Sequence, residues 1–365
     1  MSQKSKKVFV AISGGVDSSV AAAILLREGH DCAGLFMITH DDSQQAQASA
    51  EQAAKQLGME FYVLDVRSDF VRIIDYFCGE YKSGRTPNPC VVCNRTIKFG
   101  KLWDFARDNG AEFLATGHYA RILPTENGPG LFRAVDEAKD QSYALAMMDK
   151  KMLDRVILPV GQFTKTQTRQ MAKKLGLVAA DRKESQEICF VPDNDHIGFL
   201  ESRRPGLVRK GKVIDGAGRI LGEHNGIHRF TIGQRRGIRI AMGNPHYVVK
   251  LDAATNTVTL GPKSDCLHTK LLAGNINWLI REPTSPFRAM VKIRYNARPV
   301  SATVTPRGNS VSVEFDEPVS AITPGQLAVF YIRQNGNMPA LRSPDSVGTK
   351  DEQVAGAGWI EKSLD

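Results

Sequence analysis

No uninterrupted apolar stretch in these 365 residues approaches the length needed to cross a membrane, which argues against an integral helical membrane protein. The first residues, Met1-Ser2-Gln3-Lys4-Ser5-Lys6-Lys7, are basic and run straight into a strand-like segment. They show neither an apolar signal core nor a small-residue cleavage site. A cytoplasmic location without a membrane partner is therefore expected. Cysteine is scarce: the six residues Cys32, Cys78, Cys90, Cys93, Cys189 and Cys266 are too few and too scattered for a disulfide framework. Only one C-x-x-C pair occurs, Cys90 with Cys93, and a structural zinc site needs two further ligands at comparable spacing. Catalysis is thus preferred to zinc for that pair, while Cys32, Cys78 and Cys266 read as structural. Internal repeats are absent. The hydrophobic fraction of 42% and charged fraction of 24% are those of an ordinary globular protein, long enough for two or three domains.

Charge is present but unevenly placed. The net charge is +9, and residues 203–250 hold eleven basic side chains against two acidic ones, so the whole excess lies there. A localised basic block is the electrostatic footprint of a polyanion, here most simply a nucleic acid.

The most informative segment is Ser13-Gly14-Gly15-Val16-Asp17-Ser18-Ser19. It follows the apolar run Val8 to Ile12, which reads as a buried strand, and precedes Val20 to Leu26, which reads as a helix. The first N–H groups of a helix lack internal partners and its dipole adds positive potential there, so a glycine turn at this place favours an anion. The pattern has no Lys-Ser pair after its last glycine, so it is not a Walker loop, and it lacks the G-x-G-x-x-G of dinucleotide folds. It resembles the SGGxDS signature of the PP-loop ATP pyrophosphatase superfamily. That resemblance implies ATP bound by Ala11, Ile12, Ser13, Gly14, Gly15, Val16, Asp17 and Ser18, with Asp17 helping to place Mg2+.

From residue 8 to about 120 short apolar runs alternate with helical patterns, which predicts an α/β domain with a doubly wound parallel sheet. Ligands bind beyond the carboxyl ends of such strands, so Ser13, Met37 and Gly117 can converge on one nucleotide. Helical texture is expected at Ser18 to Glu28, Ile97 to Asn109 and Lys150 to Leu177, the last broken at Leu158 to Gly161. After Gly206 short β-like runs dominate, Arg229 to Ile232 among them. They predict a small basic central domain and then a C-terminal β-barrel. The boundaries are placed at 1–203, 204–272 and 273–365. Gln334 to Gln353 reads as a polar flexible loop.

The second informative segment is Arg85-Thr86-Pro87-Asn88-Pro89-Cys90-Val91-Val92-Cys93-Asn94. Two prolines make it a loop, with a helix beginning at Asn94. A cysteine at that helix start, near Arg95 and Lys98, is expected to have a lowered pKa. Together with Ala115-Thr116-Gly117-His118-Tyr119-Ala120-Arg121, Lys139-Asp140-Gln141-Ser142-Tyr143 and Ser185-Gln186-Glu187-Ile188-Cys189-Phe190, the segment is similar to the tRNA-specific 2-thiouridylase (MnmA/TrmU) family. The resemblance runs over nearly the whole chain and implies an ATP-dependent sulfurtransferase acting on the wobble uridine of tRNA. Cys189 would carry a persulfide sulfur delivered from a cysteine desulfurase by a donor protein, and Cys93 would resolve it. Asn88, Pro89 and Cys90 would contact the target base. His118, Lys139, Asp140, Gln141, Arg294, Tyr295 and Gln326 would contact the tRNA anticodon arm.

One departure stands out. Many family members carry aspartate where this chain has Cys90, so the acid/base role given to that carboxylate is open. Either another group moves the proton, or Cys90, Cys93 and Cys189 hold a 4Fe-4S cluster with one open iron. The rival readings are another PP-loop enzyme (a cytidine thiolase, a lysine-inserting tRNA ligase or an amidating ligase) and a non-catalytic ATP-sensing tRNA-binding protein.

Overall fold

The computed structural model describes residues 5–180, 188–238, 240, 244–333 and 352–365. Seven strands lie in its first part: β1 (Lys7–Ala11), β2 (Asp31–Ile38), β3 (Glu60–Asp65), β4 (Phe113–Thr116), β5 (Arg121–Thr125), β6 (Gly128–Phe132) and β7 (Val156–Ile157). Five of them form a parallel sheet in the order β3-β2-β1-β4-β7. The apolar run after Lys7 is dictated by this central position. Val8 and Val10 point to one face, onto Ala22 and Leu25 of helix α1 (Val16–Arg27) and Ala50 and Ala54 of α2 (Gln44–Gln56). Phe9 points to the other face, with Phe70 and Phe77 of α3 (Arg67–Lys82). All three strand side chains are fully buried, each stabilising the fold by about 1.5–3 kcal/mol. The strand order reverses between β1 and β4, and the crevice at such a switch point is where ligands of open α/β sheets bind.

The basic segment folds as a second, mixed sheet of β8 (Gly211–Asp215), β9 (Ile220–His224), β10 (Tyr247–Asp252) and β11 (Thr257–Gly261), in the order β10-β11-β8-β9. The remaining strands are β12 (Leu267–Trp278), β13 (Phe287–Lys292), β14 (Val300–Arg307), β15 (Ser310–Ser320), β16 (Leu327–Arg333) and β17 (Glu352–Ser363). They run antiparallel as β12-β15-β14-β13-β16-β17, and β17 pairs back with β12 to close a six-stranded barrel. Val291, Val304, Val313 and Phe330 fill its interior. The expected α/β sheet, small central domain and C-terminal barrel are all present.

Several local expectations are corrected. Helix α1 starts at Val16, two residues before the expected Ser18. The expected loop before Asn94 is already helical, as α4 (Pro89–Cys93), because Asn88 Oδ1 accepts from Val91 N at 3.4 Å and Pro89 suits the first helical position. Instead of one regular helix from Ile97, a π-helix spans Asn94–Lys101 and an α-helix follows at Leu102–Asp108. Within 150–177 only Lys165–Lys174 is α-helical, started by a Thr164–Gln167 capping box. Arg229 closes a 3-10 turn instead of opening a strand. The β5–β6 hairpin was not anticipated; through β6 it joins the barrel at β17, tying the first part of the chain to the last. Of the expected loop Gln334 to Gln353, residues 334–351 lie outside the described residues, while Glu352 and Gln353 belong to β17. Residues 181–187, just before the Cys189 segment, also lie outside them.

Candidate active site

The glycine turn sits at the carboxyl end of β1, as its sequence predicts. Gly14 has φ +72°, and a Cβ there would lie 2.8 Å from Ser49 Cβ and 2.9 Å from the Ala50 nitrogen. Only glycine satisfies both the left-handed backbone and the approach of α2. The hydroxyls brace the turn: Ser18 Oγ accepts from Ser13 N at 3.2 Å, and Ser19 Oγ donates to Gly15 O at 3.0 Å. The end of β4 closes on the same place. A Cβ on Gly117 would fall 2.6 Å from Ser18 N and 2.7 Å from the Asp17 carbonyl carbon. Ser13–Ser18 and Gly117 therefore meet at the switch-point crevice, and Met37, half-buried near the end of β2, lies on the neighbouring strand.

Asp17 does not stand alone. Lys165 Nζ lies 2.8 and 2.7 Å from its two carboxylate oxygens, and Tyr119 OH donates to Oδ1 at 2.8 Å. Neither partner was identified from the sequence. The capping box that places Lys165 at a helix start is a readable signal, but its pairing with Asp17 across 148 residues is not. The Asp17 carboxylate is a hard oxygen donor of the kind magnesium takes, and a bound cation would compete with Lys165 for it.

The thiols form the second half of the site. Cys93 is buried, while Cys90 and Cys189 are exposed as residues. Surrounding protein nevertheless withdraws water from all three sulfurs and raises each thiol, that of Cys189 to about 12. The expected lowering at a helix start is thus corrected: Cys93 ends α4 and runs on into the π-helix, so no free N–H groups face it, and burial outweighs the nearby cation. Cys90 and Cys93 further raise Cys189, which puts the three sulfurs in one another's field. Among the described residues no three His, Cys, Asp or Glu side chains are arranged to hold a metal ion. Because the thiolate is the reactive form and Cys189 titrates far above neutrality, its alkylation rate should climb about tenfold per pH unit between pH 7 and 9 without a plateau. Site-resolved mass spectrometry of iodoacetamide-treated protein checks this; a plateau near pH 7 would show that burial does not govern this thiol.

Lys98 links the two halves. Its charge acts on Cys90, Cys93 and Cys189 alike, opposing the effect of burial. Its Nζ lies 3.4 Å from Nε2 of His118, the residue after Gly117. The i→i+5 bonding of the π-helix stacks residues five apart, and Lys98 is five residues beyond Cys93. An ammonium can only donate, so Nε2 of His118 accepts, and Nδ1–H donates to Thr116 Oγ1 at 2.7 Å. Burial first, then Lys98, holds His118 well below its usual pKa and hence neutral.

The other residues from the resemblance fall into two groups. Tyr295 is exposed in the barrel, with Lys292 Nζ 5.5 Å from its ring centre. Lys139 and Asn88 are half-buried, and Pro89 is buried. Asp140, Gln141, Arg294 and Gln326, by contrast, are spent on protein. Asp140 is buried and accepts from Arg133 Nε, Ala134 N and Ser142 N, each at 3.1 Å, while Arg133 also pairs with Glu352 at 2.7 Å. Losing one partner of such a network costs about 3–5 kcal/mol, so substituting Asp140 tests folding before it tests binding. Gln141 Oε1 accepts from Tyr119 N at 2.9 Å. Arg294 Nη2 donates to the carbonyls of Ile232, at 3.0 Å, and Ala321, at 2.6 Å, tying the segment before β10 to the residue after β15. Gln326 donates to the carbonyls of Thr86 and Pro87.

Comparison with known proteins agrees with this layout. Models of three domains match in succession: the tRNA methyl transferase HUP domain over residues 6–193, the tRNA methyl transferase PRC-barrel domain over 198–262, and the aminomethyltransferase beta-barrel domain over 268–338. The chain is 44% identical over 377 residues to the tRNA-specific 2-thiouridylase MnmA of Carboxydothermus hydrogenoformans, covering 98% of each protein. It is 43% identical over 385 residues to that of Geobacter metallireducens, covering 100% of this chain and 99% of the relative. Identity at this level over essentially the full length of both proteins means that the chain belongs to the tRNA-specific 2-thiouridylase MnmA family.

Proposed function

We propose that this protein is an ATP-dependent sulfurtransferase that 2-thiolates the wobble uridine of tRNA through an adenylated intermediate. The observation that carries the reading is the junction between β4 and the π-helix. Gly117 closes the phosphate cradle, and the next residue, His118, touches the lysine whose field covers all three thiols. An adenylated base lying between them would have its leaving group on one side and its nucleophile on the other.

Ala11 to Ser18, Met37 and Gly117 bind ATP. Magnesium held at Asp17 would neutralise phosphate charge. The uridine 2-oxygen attacks the α-phosphate and pyrophosphate leaves, turning a poor leaving group into AMP. The terminal sulfur of a Cys189 persulfide then adds to C2, and AMP departs. The Cys93 thiolate attacks Cys189 Sγ and forms a Cys93–Cys189 disulfide. The bond from Cys189 Sγ to the transferred sulfur breaks, its electron pair completes the 2-thiocarbonyl, and a cellular dithiol reduces the disulfide for the next cycle. Asn88, Pro89 and Cys90 border the target base. His118, Lys139, Asp140, Gln141, Arg294, Tyr295 and Gln326 face or shape the surface for the anticodon arm, and Tyr295 stacks on an unpaired base. The persulfide comes from a donor protein fed by a cysteine desulfurase. The domains are proposed to divide at 1–203, 204–272 and 273–365, and a cytoplasmic location accords with chemistry that needs reduced thiols.

The test is mass spectrometry of wobble nucleosides from a strain lacking this protein. 2-Thiouridine should disappear and return with the wild-type chain; its persistence rejects the reading. Iron and acid-labile sulfide assays on anaerobically purified protein separate the persulfide route from a 4Fe-4S cluster, since a colourless and fully active enzyme has no need of iron.

A further inference from the structure

We propose that Tyr119 is a positioning residue for Asp17, and that it couples RNA on the 136–141 segment to the cation and nucleotide at the glycine turn. The RNA half rests on the sulfurtransferase reading, which sets Lys139 to Gln141 against the anticodon arm. Tyr119 is buried, and its OH donates to Asp17 Oδ1 at 2.8 Å. Its main chain is held on both sides by one residue. Tyr119 N donates to Gln141 Oε1 at 2.9 Å, and Gln141 N donates to Tyr119 O at 2.7 Å. Lys165, which also holds the Asp17 carboxylate, is fastened to the same segment, because its main-chain N donates to Asp136 Oδ2 at 2.8 Å. Two side chains that reach Asp17 from different elements therefore take their main-chain positions from one short segment.

The segment and the two residues it holds are packed as one body. Val135 N donates to Gly161 O at 3.0 Å, and the Gly161 backbone lies so close to the Ala120 carbonyl that no Cβ fits between them. Asp136 closes a turn of its own, its main-chain O accepting from Lys139 N at 3.1 Å and its Oδ1 from Ala138 N at 3.2 Å. Two arrangements are open to the Asp17 carboxylate. In the one described, Lys165 spans both oxygens and Tyr119 binds Oδ1. In the other the ammonium gives way to a magnesium ion, since two cations repel each other at one carboxylate. The phenol can stay, because a carboxylate has lone pairs for a donor and a cation at once. Tyr119 then stands behind the metal ligand and fixes its direction, a role whose loss lowers metal affinity by about tenfold to a hundredfold. RNA seated on residues 139–141 stiffens the segment that aims this hydroxyl. Nucleotide with magnesium therefore binds more tightly to the RNA complex, and RNA binds more tightly to the nucleotide complex by the same factor.

The substitution Tyr119→Phe removes the hydroxyl and keeps the ring and the main-chain bonds to Gln141. The full-length protein is titrated calorimetrically, in Mg2+, with an ATP analogue whose α–β bridge cannot be cleaved. Doing so with and without a tRNA that carries an unmodified wobble uridine gives the coupling factor as a ratio of dissociation constants. In the wild type that ratio should be about 5 to 150. In Tyr119→Phe it should fall to near one, and the Mg2+ concentration for half-maximal analogue binding should rise by about tenfold to a hundredfold. The tRNA dissociation constant without nucleotide should not change. Asp136→Ala, which releases Lys165 N and leaves Tyr119 and Asp17 whole, should lower the ratio too and serves if Tyr119→Phe does not fold. An unshifted Mg2+ midpoint in Tyr119→Phe overturns the positioning role, and a ratio equal to that of the wild type overturns the coupling. A wild-type ratio of one in a protein that makes 2-thiouridine rejects the coupling alone. A wild-type protein that binds no tRNA rejects the sulfurtransferase reading together with the coupling, while the Mg2+ midpoint still decides whether Tyr119 aims Asp17.

Discussion

Replacing Cys189 by serine should lower 2-thiouridine formation by at least about a thousandfold while leaving tRNA binding and ATP-dependent pyrophosphate release in place. The magnitude follows from chemistry: a hydroxyl cannot carry a persulfide, and the sulfur of this thiol is the atom from which the product's sulfur is taken. Folding should survive, because Cys189 is exposed and Ser removes no packed volume. Cys93→Ser should be as severe in multiple turnover, but for a different reason. It leaves the persulfide able to add to the activated carbon and removes the thiolate that breaks the bond behind it. Adduct bound to Cys189 should therefore accumulate, visible by intact-mass spectrometry under non-reducing conditions. A Cys93→Ser enzyme that completes many cycles at the wild-type rate would place the resolving step elsewhere. Cys90→Ser is the useful contrast. If Cys90 only borders the base, thiolation should continue within a few-fold of wild type, and a loss equal to that of the other two would return attention to a three-thiol ligand set.

How far these residues could be read in advance depended on distance along the chain. The glycine turn at the end of β1 is legible because strand, glycines, hydroxyls and helix are consecutive, so local geometry decides the outcome. Gly117 was placed correctly because a parallel sheet aligns strand ends. Asp17's partners Lys165 and Tyr119 were missed, since each reaches it through tertiary packing over a hundred or more residues. The Cys93 pKa was read in the wrong direction for a related reason. Helix-start geometry is local, but Asn88 and Pro89 began the helix earlier, and burial comes from remote residues. The partners of Gln326 and Arg294 likewise lie in other parts of the fold. The resemblance could associate such residues with function, but only the fold shows that they spend their hydrogen bonds on protein carbonyls.

Replacing Lys98 by methionine should reduce thiolation by about tenfold or more, with Lys98→Arg retaining most of the rate. Three observations combine here. Burial raises all three thiols, and Lys98 is the cation opposing it at each of them. An opposite charge favours the ionised form, so each thiolate should become rarer once the ammonium is gone. His118 supports the arrangement: held neutral, with Nδ1 committed to Thr116, it offers Nε2 as an acceptor and adds no competing positive charge. Methionine preserves the length of the side chain, so the change is chiefly electrostatic and ATP affinity should be unaffected. The diagnostic is the pH profile. The rate of Lys98→Met should recover as pH rises, because more alkaline solution restores the thiolate that the missing cation no longer favours. A deficit that stays constant from pH 7 to 9.5 would mean that Lys98 acts on the adenylated base instead of on sulfur, and a normal rate at every pH would remove it from the reaction.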